Sequence, residues 1–432
     1  MKYENKRVLV LGAGKSGLSA KAFLEERGAE VILYDDKKLL EISEEFDLCV
    51  ISPGISVNHP MVKQPLISEL ELGLGEKHGK VIAVTGTNGK TTVSNMIHKA
   101  LKKSILCGNV GIPATAVASQ LRRRTAVIEV SSFQLETSNR GFRPNIAVIL
   151  NITQDHLERH GTMAEYTRCK AQIYKNQRKR DMLILNYDND VCRNLPIMGR
   201  RVFWFSTDAK VRGIYLNGRD VVLNIKRRAK NLFTVDDVGD VNGHDIENIL
   251  ATALVCSLMR AGRKAILQAC NCERQPHRIQ HIADIRTANG TVTYYNDSKS
   301  TNIASTLAAC RCFKSHVNLI LGGVSKGQNF TELFEKLPLV VENIFIFGEA
   351  SQEILEAHKN FYNSPLVESG VTAPAVTGCI NLRDATIRAT QTGSGPRVVL
   401  LSPACASFDM FKNYEDRGEQ FIEIVKELLK HI

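Results

Sequence analysis

The chain has 432 residues, 44% hydrophobic and 23% charged, a composition typical of a globular protein with about two to four domains. Its formal net charge of +11 favours ligands that carry phosphates or carboxylates, because a positive field steers anions. Only 6% of residues are aromatic and none interleave with the basic runs, which argues against nucleic acid. We interpret those runs as solvated faces, with nucleic-acid binding as the rival interpretation.

The cysteines and the N-terminus indicate a cytoplasmic protein. The eleven cysteines are scattered and include no C-x-x-C pair, a pattern that favours reduced core thiols over a disulfide framework or a metal site. The charged N-terminus runs straight into a strand pattern, so we expect no signal peptide. No apolar run approaches the ~18 residues needed to cross a bilayer, so we expect no membrane partner.

The first unit carries a glycine fingerprint. A strand at 7–11 precedes Gly12-x-Gly14-x-x-Gly17 and a helix to about residue 27, and a second strand at 31–34 ends in Asp35-Asp36. A third strand at 48–51 leads into Ser52-Pro53-Gly54, and the unit ends near residue 77. It is better sized for one nucleotide half than for a complete dinucleotide. An NAD(P)-dependent oxidoreductase using this fingerprint is the alternative function.

A phosphate-loop pattern begins the second unit. Four apolar residues from Val81 form a strand, Gly86-Thr87-Asn88-Gly89-Lys90-Thr91-Thr92 follows, and apolar residues at helical spacing occupy 93–103. Glycines let backbone amides converge on a polyphosphate at a helix N-terminus, with Lys90 on the outer phosphates and Thr91 on Mg²⁺. Val84 stands where the general pattern has its first glycine.

Polar residues follow the next strands of this unit. A glycine turn at 107–111 places Asn109 toward a ligand, and the strand at 126–130 contains Glu129. A carboxylate inside an apolar run is either neutralised by a lysine or holds Mg²⁺. The strand at 146–150 leads into Asp155 and His156, at the sheet edge where ligand sites gather.

The remainder of the second unit is mixed in character. Lys170 lies in a helical run with Tyr166 and Tyr174, where a solvated lysine is the plain interpretation. Residues 201–242 predict a small antiparallel sheet beside the parallel core, with a hairpin turn at Asn217-Gly218. A long amphipathic helix at 245–260 carries Asn248 in its first turn.

A third unit repeats the alternation of strand, loop and helix. A polar or glycine-rich loop follows each of four predicted strands, at 292–295, 317–321, 344–347 and 398–401. This predicts a parallel sheet with residue-bearing polar loops at one edge. The final helix is predicted from about Gly418 to the end.

At this point the chain resembles the Mur ligase family of ATP-dependent amide-bond-forming enzymes. The resemblance covers nearly the whole chain and rests on separate motifs in the same order: G-A-G-K-S-G, S-P-G, G-T-N-G-K-T-T, G-N-V-G, E-V-S-S-F-Q-L, N-I-T-Q-D-H, Y-T-R-C-K, H-R, N-D-S-K-S-T-N and S-P-A-C-A-S-F-D-M-F. The last two are similar to those of members that add D-glutamate to UDP-N-acetylmuramoyl-L-alanine. This outweighs the NAD interpretation.

The resemblance implies a fold of three α/β domains. These are a Rossmann-like domain at 1–78 for the UDP-sugar, a central ATP-binding domain at 79–274 with a P-loop-type parallel sheet and a small antiparallel sheet, and a Rossmann-like C-terminal domain at 275–432. It also implies ATP-dependent ligation in cytoplasmic peptidoglycan precursor synthesis, hence a part in cell-wall formation, cell shape and cell division. We expect a monomer.

The resemblance also implies roles for individual residues. For catalysis these are Lys90, Glu129, His156 and Lys170. Two Mg²⁺ sites would use Thr91 and Glu129, and His156 with Lys170 carrying a CO₂-derived carbamate. ATP would contact Gly86, Thr87, Asn88, Gly89, Lys90, Thr91, Thr92, Asn248, Arg278 and Asp297. The UDP-substrate would contact Gly14, Lys15, Ser16, Asp35, Asp36, Lys37, Gly54, Asn109 and Ser131. D-Glutamate would contact Lys299, Thr301, Lys326, Ser407, Phe408 and Tyr414.

Two positions depart from the family pattern. Val324 stands where an acidic residue is common, which bears on the orientation of Lys326 and on the strictness for glutamate. Lys37 stands where arginine is frequent, and a lysine cannot make the bidentate contact of a guanidinium.

Overall fold

The computed structural model describes residues 2–35, 45–75, 79–109, 111–137, 141–225, 228–238, 243–271, 276–364 and 372–430. Contacts between residues divide the chain into two compact units. Unit 1 comprises Met1–Ile152 and Ala164–Cys272, and unit 2 comprises Thr153–Met163 and Glu273–Ile432. Unit 1 contains two sheets and unit 2 contains one.

The first sheet of unit 1 has four parallel strands in the order β2-β1-β3-β4. Its elements are β1 Arg7–Leu11, α1 Lys15–Glu25, β2 Glu30–Tyr34, β3 Leu48–Ile51, β4 Leu66–Ser68 and α2 Glu69–Leu74. Strand β1 is apolar after its first residue because both of its faces are covered. A Cβ on Gly17 would lie 1.8 Å from the carbonyl oxygen of Gly12, so glycine lets α1 pack directly on the turn after β1.

The second sheet of unit 1 has nine strands in the order β13-β12-β11-β10-β9-β8-β5-β7-β6. The strands are β5 Val81–Thr85, β6 Ser104–Gly108, β7 Thr125–Glu129, β8 Ile146–Ile149, β9 Met182–Asn186, β10 Arg201–Ser206, β11 Gly213–Asn217, β12 Asp220–Asn224 and β13 Lys230–Thr234. The predicted antiparallel hairpin is present, and it continues the parallel sheet because β11 pairs parallel with β10. As a result β10 is not an edge strand, because its outer side is hydrogen-bonded to β11.

Helices follow the strands of this second sheet. They are α3 Lys90–Ala100, α4 Ala114–Val117, α5 Ser132–Thr137, α6 Leu157–His160, α7 Met163–Ala171, α8 Asp190–Arg193, α9 Gly243–Leu258 and α10 Arg263–Cys270, with 3₁₀ turns at Gln120–Arg122, Gln172–Tyr174 and Val235–Val238. Helices α3, α9 and α10 cover one face, where Val93, Ile97 and Leu254 pack against the sheet residues Ile82 and Val84. This packing holds the first turn of α3 at the carboxyl edge of the parallel strands.

The sheet of unit 2 has six strands in the order β14-β15-β19-β16-β17-β18, all parallel except the β14–β15 pair. Its elements are β14 Gln280–Thr287, β15 Gly290–Asn296, α11 Ile303–Cys310, β16 His316–Gly322, α12 Phe330–Glu335, β17 Val341–Phe347, α13 Ser351–Tyr362, β18 Ala375–Gly378, α14 Leu382–Gln391, β19 Arg397–Leu401 and α15 Tyr414–Leu428. Apolar clusters cover both faces, as expected for a mainly parallel sheet.

The α/β class with three sheets confirms the fold predicted from the sequence, although two helices begin earlier than expected. Helix α3 begins at Lys90 because Gly89, with φ 83°, ends the loop directly before it. Helix α15 begins at Tyr414, since the Asn413 side chain accepts a hydrogen bond from the amide of Asp416 and caps the helix. Within the described part of the chain, no helix combines the length and apolarity that a membrane span requires.

A fully buried arginine ties together the loops at the carboxyl edge of the unit 2 sheet. The guanidinium of Arg417 donates to the hydroxyl and carbonyl oxygens of Ser298 and to the carbonyl oxygens of Cys405, Ala406 and Gly322. Burial lowers the pKa of Arg417 to about 10, so the group stays charged at neutral pH. Its charge is balanced by oriented carbonyl dipoles.

We predict that Arg417→Met destabilises unit 2 by about 3 kcal/mol, because it leaves several buried carbonyls without a donor. Hydrogen exchange at the amides of β16 and β19, measured along a urea titration, would report the change in unfolding free energy. Arg388→Met on α14 is the control, because that arginine is exposed and pairs only along its own helix. Equal urea midpoints for Arg417→Met and the control would contradict the prediction.

Candidate functional site

The loop between β5 and α3 has the backbone that a phosphate loop needs. Gly86 and Gly89 have φ values of 158° and 83°. A Cβ on Gly89 would lie 2.3 Å from Oδ1 of Asn248, so glycine allows α9 to approach the loop. Asn151, two residues after the end of β8, accepts hydrogen bonds from the amides of Thr87 at 2.9 Å and Asn88 at 2.8 Å. Asn151 was not among the predicted site residues, although its position after a strand could have indicated it.

Two lysines converge on one carbonyl of this loop. The Nζ of Lys90 donates to the carbonyl oxygens of Gly86 at 2.9 Å and Thr87 at 2.8 Å, and the Nζ of Lys170 donates to Gly86 at 2.8 Å. Two ammonium groups on one oxygen give the loop a positive potential, which favours an anionic ligand. Thr91 and Thr92 follow in the first turn of α3, both half-buried.

The interpretation of Lys170 as a solvated lysine is wrong. Its side chain is 1% exposed, because α7 packs it inward, and its Nζ lies 4.5 Å from the ring centroid of Tyr166. A buried ammonium requires partners of this kind, a carbonyl oxygen and an aromatic face. Spacing along a helix could not reveal this, because burial depends on what the helix packs against.

Glu129 ends β7 and is the strand partner of Val84. Its Oε1 accepts a hydrogen bond from Nδ2 of Asn109 at 2.9 Å, and the amide of Asn109 donates to its carbonyl oxygen at 2.9 Å. Gly108 permits this approach, since a Cβ there would lie 2.5 Å from the Glu129 carbonyl oxygen. The turn at Gly108 and Asn109 therefore holds the carboxylate in one orientation.

The second oxygen of Glu129 is buried and, within the described part of the chain, has no hydrogen-bond partner. No lysine of the described residues forms an ion pair with it, which leaves the cation interpretation as the better of the two predicted alternatives. An orphaned buried carboxylate oxygen suits a hard divalent cation such as Mg²⁺, which prefers oxygen ligands.

The segment after β8 that belongs to unit 2 carries Asp155 and His156. Asp155 is buried; its Oδ1 lies 3.5 Å from Nζ of Lys326, and its Oδ2 accepts from Nδ2 of Asn302 at 3.2 Å. Removal from water lowers the pKa of His156, and the charge of Lys326 adds to this, although the nearby Asp155 carboxylate raises the pKa. The imidazole is therefore neutral at pH 7, the form that binds metals.

Asp297 directly follows β15 in unit 2, and Arg278 precedes β14 at a place where its charge acts on Asp297. Asp297 is 1% exposed, and it accepts hydrogen bonds from the amide of Ile279 at 3.2 Å and from the hydroxyl of Ser402 at 2.7 Å. Burial raises the pKa of Asp297 to about 6, although the nearby charge of Arg278 lowers it. The Nε of Arg278 is buried and has no hydrogen-bond partner among the described residues.

The six residues predicted for D-glutamate all lie in unit 2, and four of them form two pairs. Lys326 donates from Nζ to Oγ1 of Thr301 at 3.4 Å, and Nζ of Lys299 lies 5.6 Å from the ring centroid of Tyr414. Ser407 is buried, whereas Phe408 is 73% exposed and is not brought to either pair. Val324 exchanges backbone hydrogen bonds with Ala406 at 2.9 and 3.0 Å, so this departure from the family pattern leaves the loop backbone paired.

The predicted UDP-substrate residues lie in unit 1. Gly14, Lys15 and Ser16 form the start of α1, and Asp35 follows β2. Gly54 is exposed after β3, near Ser52, whose hydroxyl donates to the carbonyl oxygen of Gly12 at 3.2 Å. Ser131, after β7, hydrogen-bonds Gln134 through its amide and hydroxyl. Asp36 and Lys37 lie outside the described residues.

A phosphate loop at the carboxyl edge of a mixed α/β sheet defines a nucleotide-binding protein, and comparison with known proteins narrows this class. Residues 84–256 match the family described as the Mur ligase middle domain. The chain is 36% identical over 470 residues to the UDP-N-acetylmuramoylalanine–D-glutamate ligase of Koribacter versatilis, covering 99% of each chain. It is 34% identical to the ligase of that name from Acidobacterium capsulatum, covering 98% of this chain and 97% of the relative.

The fold is also similar to solved structures. A MurF ligase from Thermotoga maritima in complex with ADP matches with a TM-score of 0.57 and 16% identity, covering 99% of this chain and 96% of the other. The protein therefore has the three-domain architecture of the Mur ligases. With relatives of this identity along its whole length, the chain belongs to the UDP-N-acetylmuramoylalanine–D-glutamate ligase family.

These findings confirm the predicted family and do not favour the oxidoreductase alternative. The relatives and the solved structure named above are ligases. The first sheet has four strands, fewer than the two-halved sheet that binds a complete dinucleotide. The glycine fingerprint of the first sheet has a packing explanation, since Gly17 lets α1 sit directly on the preceding turn.

The raised pKa of Asp297 predicts a pH-dependent stability of unit 2. Between the unfolded pKa of about 4 and the folded pKa of about 6, the unfolded chain loses its proton first. The contribution of Asp297 to stability is therefore full below pH 4, falls as the pH rises, and levels off above the folded pKa. We expect the stability of Asp297→Asn relative to the wild type to rise between pH 4 and 7. Urea unfolding at several pH values measures this difference, and a pH-independent difference would contradict the prediction.

Proposed function

We propose that the protein joins D-glutamate to UDP-N-acetylmuramoyl-L-alanine in an ATP-dependent reaction of peptidoglycan precursor synthesis. The observation that carries this proposal is the loop where Lys90 and Lys170 share the Gly86 carbonyl oxygen, beside the buried Glu129. This is a site for a polyphosphate and a cation. The identity of the substrates is inferred from relatives that are named for this reaction and that match the whole chain. A cytoplasmic location and a monomeric state stay predictions from the sequence.

The chemistry that such a site has to support follows from the reactants. A carboxylate barely reacts with an amine, because expelling oxide from a resonance-stabilised group is unfavourable. Transfer of the γ-phosphoryl group of ATP to the alanyl carboxylate gives an acyl phosphate, and the amine of D-glutamate then attacks its carbonyl carbon. The tetrahedral intermediate collapses by releasing phosphate.

The residues of the loop would act by positioning and by electrostatics. Phosphoryl transfer needs little covalent help from a protein, so charge neutralisation and alignment supply most of the rate. Lys90 would leave the carbonyl oxygens of Gly86 and Thr87 to bind the outer phosphates of ATP. Asn151 holds the amides of Thr87 and Asn88 and so fixes the loop, and the amides at the start of α3 would donate to the phosphate oxygens.

We assign one Mg²⁺ to Thr91 and Glu129. The orphaned Oε2 of Glu129 supports this assignment, and the ion would supply further neutralisation of the phosphates. A second Mg²⁺ is assigned to His156 and Lys170, with a CO₂-derived carbamate on Lys170. The neutral imidazole and the burial of Lys170 beside the loop support it. Absence of a carbamate carbon resonance after addition of ¹³C-labelled bicarbonate would refute the modification.

The remaining assignments follow the family resemblance. We propose that Asn248, Arg278 and Asp297 contact the nucleoside and phosphates of ATP, supported by the packing of Asn248 on Gly89 and by the unpartnered Nε of Arg278. Asn109, the start of α1 and Ser131 would bind the UDP-substrate. The cations Lys299 and Lys326 would bind the carboxylates of D-glutamate, and the exposed Phe408 would have to turn inward to contribute.

The proposed reaction predicts that release of ADP and phosphate requires both UDP-N-acetylmuramoyl-L-alanine and D-glutamate. A coupled assay of phosphate release against a panel of amino acids measures this requirement. Lys90→Ala should reduce turnover at least about a thousandfold, because it removes charge stabilisation of the transferring group. Phosphate release that proceeds equally without any amino acid would reject amide formation.

The hydrogen bond from Asn109 to Glu129 predicts an effect on metal affinity. Asn109→Ala should weaken Mn²⁺ binding in the presence of a non-hydrolysable ATP analogue by about tenfold, because residues that orient a ligand typically contribute this much. Electron paramagnetic resonance of free Mn²⁺ measures it without turnover. Asn194→Ala is the control, because that exposed side chain hydrogen-bonds only the carbonyl of Asp190. Unchanged Mn²⁺ affinity in Asn109→Ala would contradict the prediction.

A further inference from the structure

Helix α2 is short and carries two glutamates, yet all six of its residues are buried. Glu69 is 3% exposed and Glu71 is 7% exposed. A buried carboxylate costs several kcal/mol unless it is well hydrogen-bonded. Neither residue belongs to the proposed chemistry, so their burial calls for another explanation.

Glu69 binds the beginning of α4. Its Oε1 accepts hydrogen bonds from the amide and from the hydroxyl of Thr115, both at 2.7 Å. The same hydroxyl lies 2.7 Å from the hydroxyl of Ser19 on α1. Thr115 can therefore donate to Glu69 while accepting from Ser19, and it links α1 and α2 of the first sheet to α4 of the second sheet.

The backbones of α2 and α4 are in direct contact. A Cβ on Gly73 would lie 2.6 Å from both the carbonyl carbon of Ala114 and the amide nitrogen of Thr115. Any side chain at Gly73 would push the two helices apart. Glu71 makes a second attachment on the same helix, because its Oε1 accepts from the amides of Gly141 at 2.6 Å and Phe142 at 3.2 Å.

These contacts connect the two ends of the proposed UDP-substrate site. Helix α1, which carries Ser19, begins with Gly14, Lys15 and Ser16. Helix α4 follows the turn in which the amide of Gly108 donates to the carbonyl oxygen of Ile112 at 3.0 Å, next to Asn109. In the proposed site the start of α1 would bind the diphosphate end of the substrate and Asn109 its sugar-peptide end. Thr115 therefore links the two elements that carry these ends.

We propose that Glu69, Gly73 and Thr115 form a buried joint that sets the separation between these two ends, and so selects ligands long enough to span both. The inference rests on the proposed function and deepens it. Glu69 is a positioning residue, because it acts through Thr115 and does not touch the substrate. A ligand that reaches only one end does not depend on the joint.

The test compares two ligands by isothermal titration calorimetry. UDP should occupy only the diphosphate end, whereas UDP-N-acetylmuramoyl-L-alanine spans both. Glu69→Gln, Gly73→Ala and Thr115→Val should each bind UDP within about twofold of the wild-type affinity, yet bind the full substrate about tenfold more weakly. Glu69→Gln and Thr115→Val remove the charged hydrogen bond between these two side chains, an effect of about this size. Gly73→Ala acts by pushing α2 away from α4.

Matched controls separate positioning from loss of folding. Thr115→Ser keeps the hydroxyl and should bind both ligands as the wild type does. Glu25→Gln changes an exposed glutamate of α1 that pairs with Lys21, and it should have no effect on either ligand. If Glu69→Gln fails to fold, the pair Thr115→Val and Thr115→Ser decides the question.

Equal weakening of UDP and of the full substrate would overturn the inference while leaving the proposed function intact, because the joint would then only support the fold. Full-substrate affinity unchanged in all three variants would also overturn it. If the wild-type protein binds UDP-N-acetylmuramoyl-L-alanine no more tightly than UDP, both the inference and the proposed function are overturned.

Discussion

The carbonyl oxygen of Gly86 accepts hydrogen bonds from two ammonium groups, and the rest of the central site depends on this contact. The two nitrogens lie within about 6 Å of each other, so they repel by about 3 kcal/mol at an effective dielectric constant of about 20. A polyphosphate relieves that repulsion. The loop can hold this arrangement because Gly86 and Gly89 adopt conformations that other residues avoid, and because Asn151 fixes two of its amides.

Three buried carboxylates in different parts of the chain are stabilised in three different ways. Glu69 accepts two hydrogen bonds from one residue and serves packing between helices. Asp297 remains partly protonated near neutral pH, since its burial outweighs the charge of Arg278. Glu129 has one oxygen held by Asn109 and the other without a protein partner, the arrangement expected of a cation ligand. Burial alone therefore does not separate structural from functional carboxylates.

Local patterns were informative wherever one short stretch carried both its structure and its chemistry. The strand, glycine loop and helix around Lys90 were predicted together, because each is specified by adjacent residues. The spacing around Lys170 suggested a solvated lysine, and its burial was visible only in the structure, since helical spacing does not report what covers a helix face. Asn151 and Thr115 were missed as organising residues, because their partners lie 63 and 46 or more positions away in the chain. The antiparallel hairpin was predicted, but its continuity with the parallel sheet was visible only in the pairing of β10 with β11.

By itself, the sequence determined the α/β class, the alternation of strands and helices, the phosphate loop and the family, because these depend on local periodicity and on ordered motifs. Only the tertiary structure decided which side chains donate to the same oxygen, which carboxylate has an oxygen without a protein partner, and how α2 packs against α4. Those properties arise from pairs of residues distant along the chain, and their free energies depend on burial and hydrogen-bond geometry that no local pattern encodes.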